Sequence, residues 1–303
     1  MNNQRFVELV VSLGLLILAA KIDGKQQTPS WSGYYLENDT HYFLYEKPKP
    51  PKLGNISSNP FINELETQDY FPTRIVNGTR ATCKEAYFQC SLHFEGYGIC
   101  GCIIISRWFI LTAHHCVIGP ARKYRIRAGT MQVNRGGQLR DVKLIVAHAG
   151  YNDYTMRHDI ALMKVKSPFI FTACLRPVKL PSPKITKFPK KLVVTGFGIA
   201  SENAANLQKY CRIVEVNLIT RSTCQNKYSG TGVKIYKDMI CAAAPYKDSC
   251  SGDSGGPLTH KGVLCGIVSF GIGCARRKYP GVYTNVKRFI RWIQKCIKKY
   301  RNY

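Results

Sequence analysis

Short apolar or alternating runs recur through residues 75–303, at 86–92, 103–113, 124–128, 143–148, 160–165, 191–196, 212–219, 263–269 and 281–286. Glycine and proline punctuate the intervals. The spacing of the runs, with these turn signals between them, argues an all-β sandwich or a pair of barrels. Only the end breaks the pattern. Val286, Phe289, Ile290, Ile293, Cys296 and Ile297 fall at helical spacing, with basic residues between them. This predicts a terminal amphipathic helix over about 286–299, packed on the barrel with its charges in water.

The 13 cysteines all lie at or after Cys83. Such a count suits an oxidising compartment. The N-terminus agrees: Arg5 precedes an apolar run from Val10 to Ala20, ending in the small pair Ala19-Ala20. Residues 1–20 therefore read as a secretory signal, since the run is about half the roughly 20 residues that a membrane span needs. Residues 21–74 have no cysteine and no sustained periodicity. Lys47 to Lys52 alternates lysine and proline and can only be extended. Asn38-Asp39-Thr40, Asn55-Ile56-Ser57 and Asn77-Gly78-Thr79 are glycosylation sequons. The stretch 21–74 is expected to be a flexible pro-segment, and 75–303 the folded domain.

Charge divides at the same place. The net charge is +26. Residues 1–74 hold 7 basic and 8 acidic residues, so the excess belongs to the rest of the chain. Inside a cell such a charge would raise nucleic acid first. For a secreted, cysteine-rich chain no nucleic-acid partner is expected, and polyanionic glycans, anionic membranes or acidic proteins are the extracellular equivalents.

The densest chemical signal is Gly252-Asp253-Ser254-Gly255-Gly256-Pro257. Glycines around a serine permit a tight turn whose backbone N–H groups can face a developing oxyanion. The same residues also fit the G-x-S-x-G elbow of another hydrolase class. Chain order separates the two. That class needs an acid and then a histidine after the serine, and no Asp or Glu follows Ser254. The order acid, histidine, serine fails too, because only Glu85 and Glu95 lie between Ile75 and His115. Histidine, acid, serine remains. His115 stands in Thr112-Ala113-His114-His115-Cys116, and Asp159 heads the apolar run Asp159-Ile160-Ala161-Leu162. A carboxylate there is expected to be buried and to need a partner such as an imidazole N–H.

With Arg74-Ile75-Val76-Asn77-Gly78 and Pro280-Gly281-Val282-Tyr283 added to these three motifs, the chain resembles the chymotrypsin/trypsin-like serine proteases over nearly all of 75–303. The resemblance implies two six-stranded antiparallel β-barrels with a C-terminal α-helix, barrel one over about 75–180 and barrel two over about 185–285. It implies Ser254 as nucleophile, His115 as base and Asp159 as its orienter. The N–H groups of Gly252 and Ser254 would form the oxyanion hole. Asp248 matches the base of the primary specificity pocket, and Ser249, Ser269, Gly271 and Gly281 match its surroundings. A carboxylate at that base selects Arg or Lys before the cut bond. Cleavage after Arg74, by a trypsin-like protease or by the enzyme itself, would free the α-amino group of Ile75 to pair with Asp253.

The same resemblance implies the bridges Cys100–Cys116, Cys224–Cys241 and Cys250–Cys274. For the others, Cys83–Cys211, Cys90–Cys102 and Cys174–Cys296 are pairings that could form, with Cys265 left over. His114 stands where the family has alanine, and Phe197 and Phe270 replace tryptophans. The loop 129–141, which holds carboxylates in calcium-binding members, has only Asp141 as an acid beside Arg135 and Arg140. No metal and no cofactor are expected. The expected function is a secreted, zymogen-derived serine endopeptidase cutting after Arg or Lys. The alternative is a basic glycan- or membrane-binding secreted protein on a protease scaffold.

Overall fold

A computed structural model describes residues 34–37, 40–43, 78–198, 207–244, 252–272 and 278–303. Within 21–74, where no periodicity was legible, β1 (Tyr34–Glu37) pairs antiparallel with β2 (Thr40–Phe43). Both are only four residues long, too short for alternation to show. Both are rich in tyrosine, phenylalanine and other strand formers.

Barrel one is a closed sheet. β4 (Gln89–Phe94), β5 (Tyr97–Ile104), β6 (Phe109–Thr112), β7 (Tyr124–Ala128), β8 (Gln138–Ala147) and β9 (Ala161–Val165) pair in the order β4-β5-β6-β9-β8-β7, and β4 closes on β7. The alternation predicted for a half-buried strand is plain in β7, where Tyr124, Ile126 and Ala128 are buried and Arg125 and Arg127 face out. Barrel two contains β10 (Lys191–Gly196), β11 (Arg212–Ile219), β12 (Met239–Ala243), β13 (Pro257–His260), β14 (Val263–Phe270) and β15 (Gly281–Asn285). Their order is β10-β13-β14-β15-β12-β11, and β10 pairs back to β11. All these pairings are antiparallel, so both six-stranded barrels are as expected. β3 (Thr79–Arg80) adds to β11, which places the start of the folded domain on the sheet of barrel two.

Among the described residues, three α-helices complete the fold. α1 (Cys83–Ala86) opens with Thr82 and Glu85 in a reciprocal capping box. α2 (Arg221–Lys227) is capped by Thr220, whose hydroxyl accepts the Thr223 N–H at 3.1 Å. α3 (Val286–Tyr300) follows β15 directly and buries Val286, Phe289, Ile290, Ile293 and Cys296. These residues join the core of barrel one, so the last element of barrel two's half of the chain returns to cover its neighbour. Among the described residues, no helix is long and apolar enough to cross a membrane.

Among the described residues, four disulfides are present. Cys100–Cys116 and Cys224–Cys241 are the pairs that the resemblance implied, and Cys90–Cys102 lie directly opposite on β4 and β5. The other two pairings are corrected. Cys83 bonds Cys174, not Cys211, and Cys174 is therefore not joined to Cys296. The reason is local. The Ala81 N–H bonds the Cys211 carbonyl, while the Cys211 side chain enters a buried cluster with Ala81, Ala86, Val133 and Phe197. Cys83 lies two residues past Ala81 on α1, with its Cα 4.6 Å from that of Cys174. Cys296 faces the core of barrel one. Cys211, Cys265 and Cys296 are buried free thiols. Cys250–Cys274 lies outside the described residues.

Candidate active site

Strand pairing brings the first two residues together. Thr112 at the end of β6 is opposite Ala161 at the start of β9. His115 comes three residues after the one, and Asp159 two residues before the other. Both therefore emerge at the same end of barrel one. A single 3-10 turn, His114–Cys116, carries His115, and the Cys100–Cys116 bridge ties that turn to β5.

Asp159 is fully buried. Its Oδ1 accepts the backbone N–H of His115 at 3.0 Å. Its Oδ2 lies 2.8 Å from His115 Nδ1 and accepts the Ser269 hydroxyl at 2.5 Å. The Thr284 hydroxyl donates to the Asp159 carbonyl at 2.6 Å. Ser269 and Thr284 belong to β14 and β15, so barrel two holds the carboxylate that barrel one supplies. Burial alone would raise the Asp159 pKa. The charge and hydrogen bond of His115, with the Ser269 and backbone donors, outweigh it and hold the carboxyl below its usual range. Burial alone would likewise depress His115. The adjoining carboxylate, by charge and by hydrogen bond, reverses this and sets the imidazole above its ordinary value.

Ser254 reaches the same interface from barrel two. Its carbonyl accepts the Gly101 N–H at 2.8 Å, and the next residue's N–H, that of Gly255, bonds the Val268 carbonyl at 2.8 Å. Gly255 has φ +77°, and a Cβ there would collide with Thr112 Oγ1 and the Gly101 carbonyl. The serine turn is thus pressed against the residues that lead into His115, and only glycine permits it. Gly252 has φ +90°, and a Cβ there would collide with Leu207. Asp253 is buried, and its Oδ1 accepts the Gly198 N–H at 2.7 Å.

His114 is drawn elsewhere. Its ring stacks on Tyr151 at 4.0 Å, and burial depresses its pKa to about 4. The remaining specificity positions divide. Gly281 is buried at the head of β15, and Gly271 is half-buried just past β14. Asp248, Ser249, Arg74 and Ile75 lie outside the described residues. Ser269, expected beside the substrate pocket, spends its hydroxyl on Asp159. Sequence reasoning missed Thr284, although it directly follows a quoted motif. It also missed Tyr228, which is buried and donates to the Pro280 carbonyl at 2.7 Å, bracing the turn before Gly281. No motif marks Tyr228. One group of possible cation ligands appears among the described residues, at Cys100, Cys116 and His115. Its sulfurs are joined in a disulfide, and its imidazole is bonded to Asp159, so the donors do not fit a metal.

A family model described as Trypsin matches residues 75–293. The chain belongs to the trypsin family. Trypsin beta of Drosophila erecta is 38% identical over 221 residues, which is 73% of this chain and 87% of that protein. Trypsin Blo t 3 of Blomia tropicalis is 38% identical over 226 residues, covering 73% and 85%. Among solved structures, neuropsin, a serine protease expressed in the limbic system of mouse brain, has a TM-score of 0.66 at 30% identity. That match covers 73% of this chain and 99% of neuropsin. This chain is accordingly a trypsin-like serine protease, a hydrolase with structural disulfides.

Proposed function

We propose that this trypsin-like protease is a secreted endopeptidase, made as a zymogen, that cuts peptide bonds after Arg or Lys. The observation that carries the chemistry is the His115–Asp159 pair, closed off by Ser269 at a barrel interface where the Ser254 turn is also seated. Ser254 Oγ attacks the scissile carbonyl carbon while His115 Nε2 takes its proton. Asp159 keeps the other ring nitrogen protonated and stabilises the imidazolium. The backbone N–H groups of Gly252 and Ser254 receive the oxyanion, each worth about 3–4 kcal/mol of transition-state stabilisation. His115 then protonates the leaving amine. Water attacks the acyl-enzyme by the same route reversed, and Ser254 is regenerated.

The preference for Arg or Lys rests on Asp248, six residues before Ser254, with Gly271 and Gly281 leaving room for a long side chain. The relatives named trypsin support the same preference. Activation rests on Arg74-Ile75 and on Asp253 as the partner of the new α-amino group. Secretion rests on residues 1–20. The full reading is tested by cleaving the chain after Arg74 and assaying chromogenic peptides that end in Arg, Lys, Phe or Ala. Turnover of the Arg and Lys peptides alone, arising only after cleavage, is expected. A preference for Phe would refute the pocket assignment, and equal activity before cleavage would refute the zymogen.

A further inference from the structure

The outer face of barrel one holds a polar cavity of about 120 Å³ that takes no part in the chemistry above. His93, Gly96, Arg125, Arg127, Asn134 and Leu139 line it. Strand register builds it. His93 of β4 stands opposite Arg125 of β7, and Ser91 opposite Arg127. Since the alternate residues of β7 fill the core, both arginines are turned outward beside His93. His93 is only 5% exposed, and its ring is fixed by a 2.9 Å hydrogen bond to Ser91 Oγ. Arg127 Nη1 donates to the Gly136 carbonyl at 2.7 Å, which aims the guanidinium along the loop. Its Nε is buried and has no hydrogen-bond partner.

No ion pair among the described residues uses Arg125 or Arg127. The nearby Glu95 is already bonded to Lys123. Asp141 faces Arg125 across the β7–β8 ladder without pairing with it. The surroundings add charge of the same sign. Arg135 adjoins Asn134 in the loop, and Arg122 and Lys123 precede β7. Burial, and then the two guanidinium charges, hold the His93 imidazole below its ordinary value, as a wall of positive potential requires.

Two guanidinium groups with no carboxylate partner among the described residues concentrate positive charge at one cavity, and an anion would offset it. The volume admits one tetrahedral oxyanion and is too small for a folded segment. A sulfate ester keeps its charge at every physiological pH, and its three terminal oxygens can accept from Arg125 and Asn134 while the Arg127 charge lies beside them. The exposed Arg122, just before β7, and Arg135, beside Asn134, suit further anions along the same polymer. We propose that this cavity is a docking site for one sulfate ester of a sulfated glycan, with the flanking basic residues engaging its neighbours. This site is separate from the active site, and the proposal does not depend on cleavage after Arg or Lys.

The test is titration calorimetry on the full chain, with a heparin hexasaccharide, inorganic sulfate and size-matched hyaluronan as probes. The variants are Arg125→Gln, Arg127→Gln and the control Arg291→Gln/Lys295→Gln, which removes two exposed charges from α3. Each cavity variant should weaken hexasaccharide binding about tenfold, the control less than about twofold. Inorganic sulfate should compete in the wild type, and hyaluronan, which has carboxylates but no sulfate, should bind much more weakly. Arg125 is exposed, so its variant remains informative if Arg127→Gln fails to fold. Equal losses in cavity and control variants, hyaluronan binding as tight as heparin, or no binding of heparin would overturn the proposal.

Discussion

A carboxylate taken wholly out of water stays ionised only where donors replace the water it lost. At Asp159 those donors are the His115 ring and backbone and the Ser269 hydroxyl. Asp159→Asn should reverse the required tautomer of His115 and lower kcat by about 10⁴-fold, the size of the effect in a related triad. Steady-state kinetics on the activated enzyme checks this. Ser269 is a positioning residue. Ser269→Ala should lower kcat by roughly tenfold with little change in KM, since one charge-assisted hydrogen bond is lost. It leaves the carboxylate more basic, so the acid limb of the pH–rate profile should move to higher pH. An unmoved limb would mean a merely structural serine. The sign for the parent enzyme follows from His115. The base works only when neutral and its pKa is raised, so kcat/KM should climb with pH through a midpoint above the ordinary 6.5. The His115–Asp159 pair was legible in the sequence because its residues, like the proposed nucleophile Ser254, sit in motifs whose order excludes other arrangements. Ser269 on Asp159, Thr284 and Tyr228 were not, because each acts through a contact more than 50 residues away in sequence.

At the scale of elements, α3 shows how the two halves of the chain are joined. Lys164 of β9 is 5% exposed, and its ammonium donates to the backbone oxygens of Tyr300, Arg301 and Tyr303 at 2.8–3.0 Å. It thereby binds the orphan end of the helix and its negative dipole. Lys164→Met keeps the buried stem and removes the donor. It should cost about 2 kcal/mol, hence lower the melting temperature by roughly 4–8 °C in a circular-dichroism scan. The strands were legible where alternation or β-branching ran for five residues or more. The run 103–113 concealed a turn, since Ser106 Oγ accepts the N–H groups of Trp108 and Phe109 and parts β5 from β6 inside one apolar stretch. β12 is an alanine-rich five-residue piece, and β13 begins with a proline inside the serine motif, so neither has a pattern of its own. The cysteine pairings failed for a different reason. Spacing says nothing about which way Cys211 or Cys296 points, and both point inward. Three thiols should therefore react with a thiol reagent only after denaturation, if Cys250 and Cys274 are bridged. Five would mean that they are not.

For the whole molecule, the basic surface belongs to the same domain as the proposed preference for basic substrates. The two work against each other at long range. Cationic peptides should be repelled before they reach the site, so kcat/KM for them should rise with added salt as screening shortens the field. A neutral-bodied peptide with a single arginine should respond less. A flat or falling profile would show that the surface charge does not reach the active site.

The proposed chemistry requires one convergence, in which the imidazole of His115 activates the hydroxyl of Ser254 while Asp159 holds it in place. The most direct measurement is to cleave after Arg74, treat with a fluorophosphonate, which forms an O–P bond to an activated serine as fluoride leaves, and locate the adduct by mass spectrometry. One adduct on Ser254, absent in His115→Ala and appearing as turnover is lost, is predicted. Labelling elsewhere, or full labelling of Ser254 without His115, would contradict it.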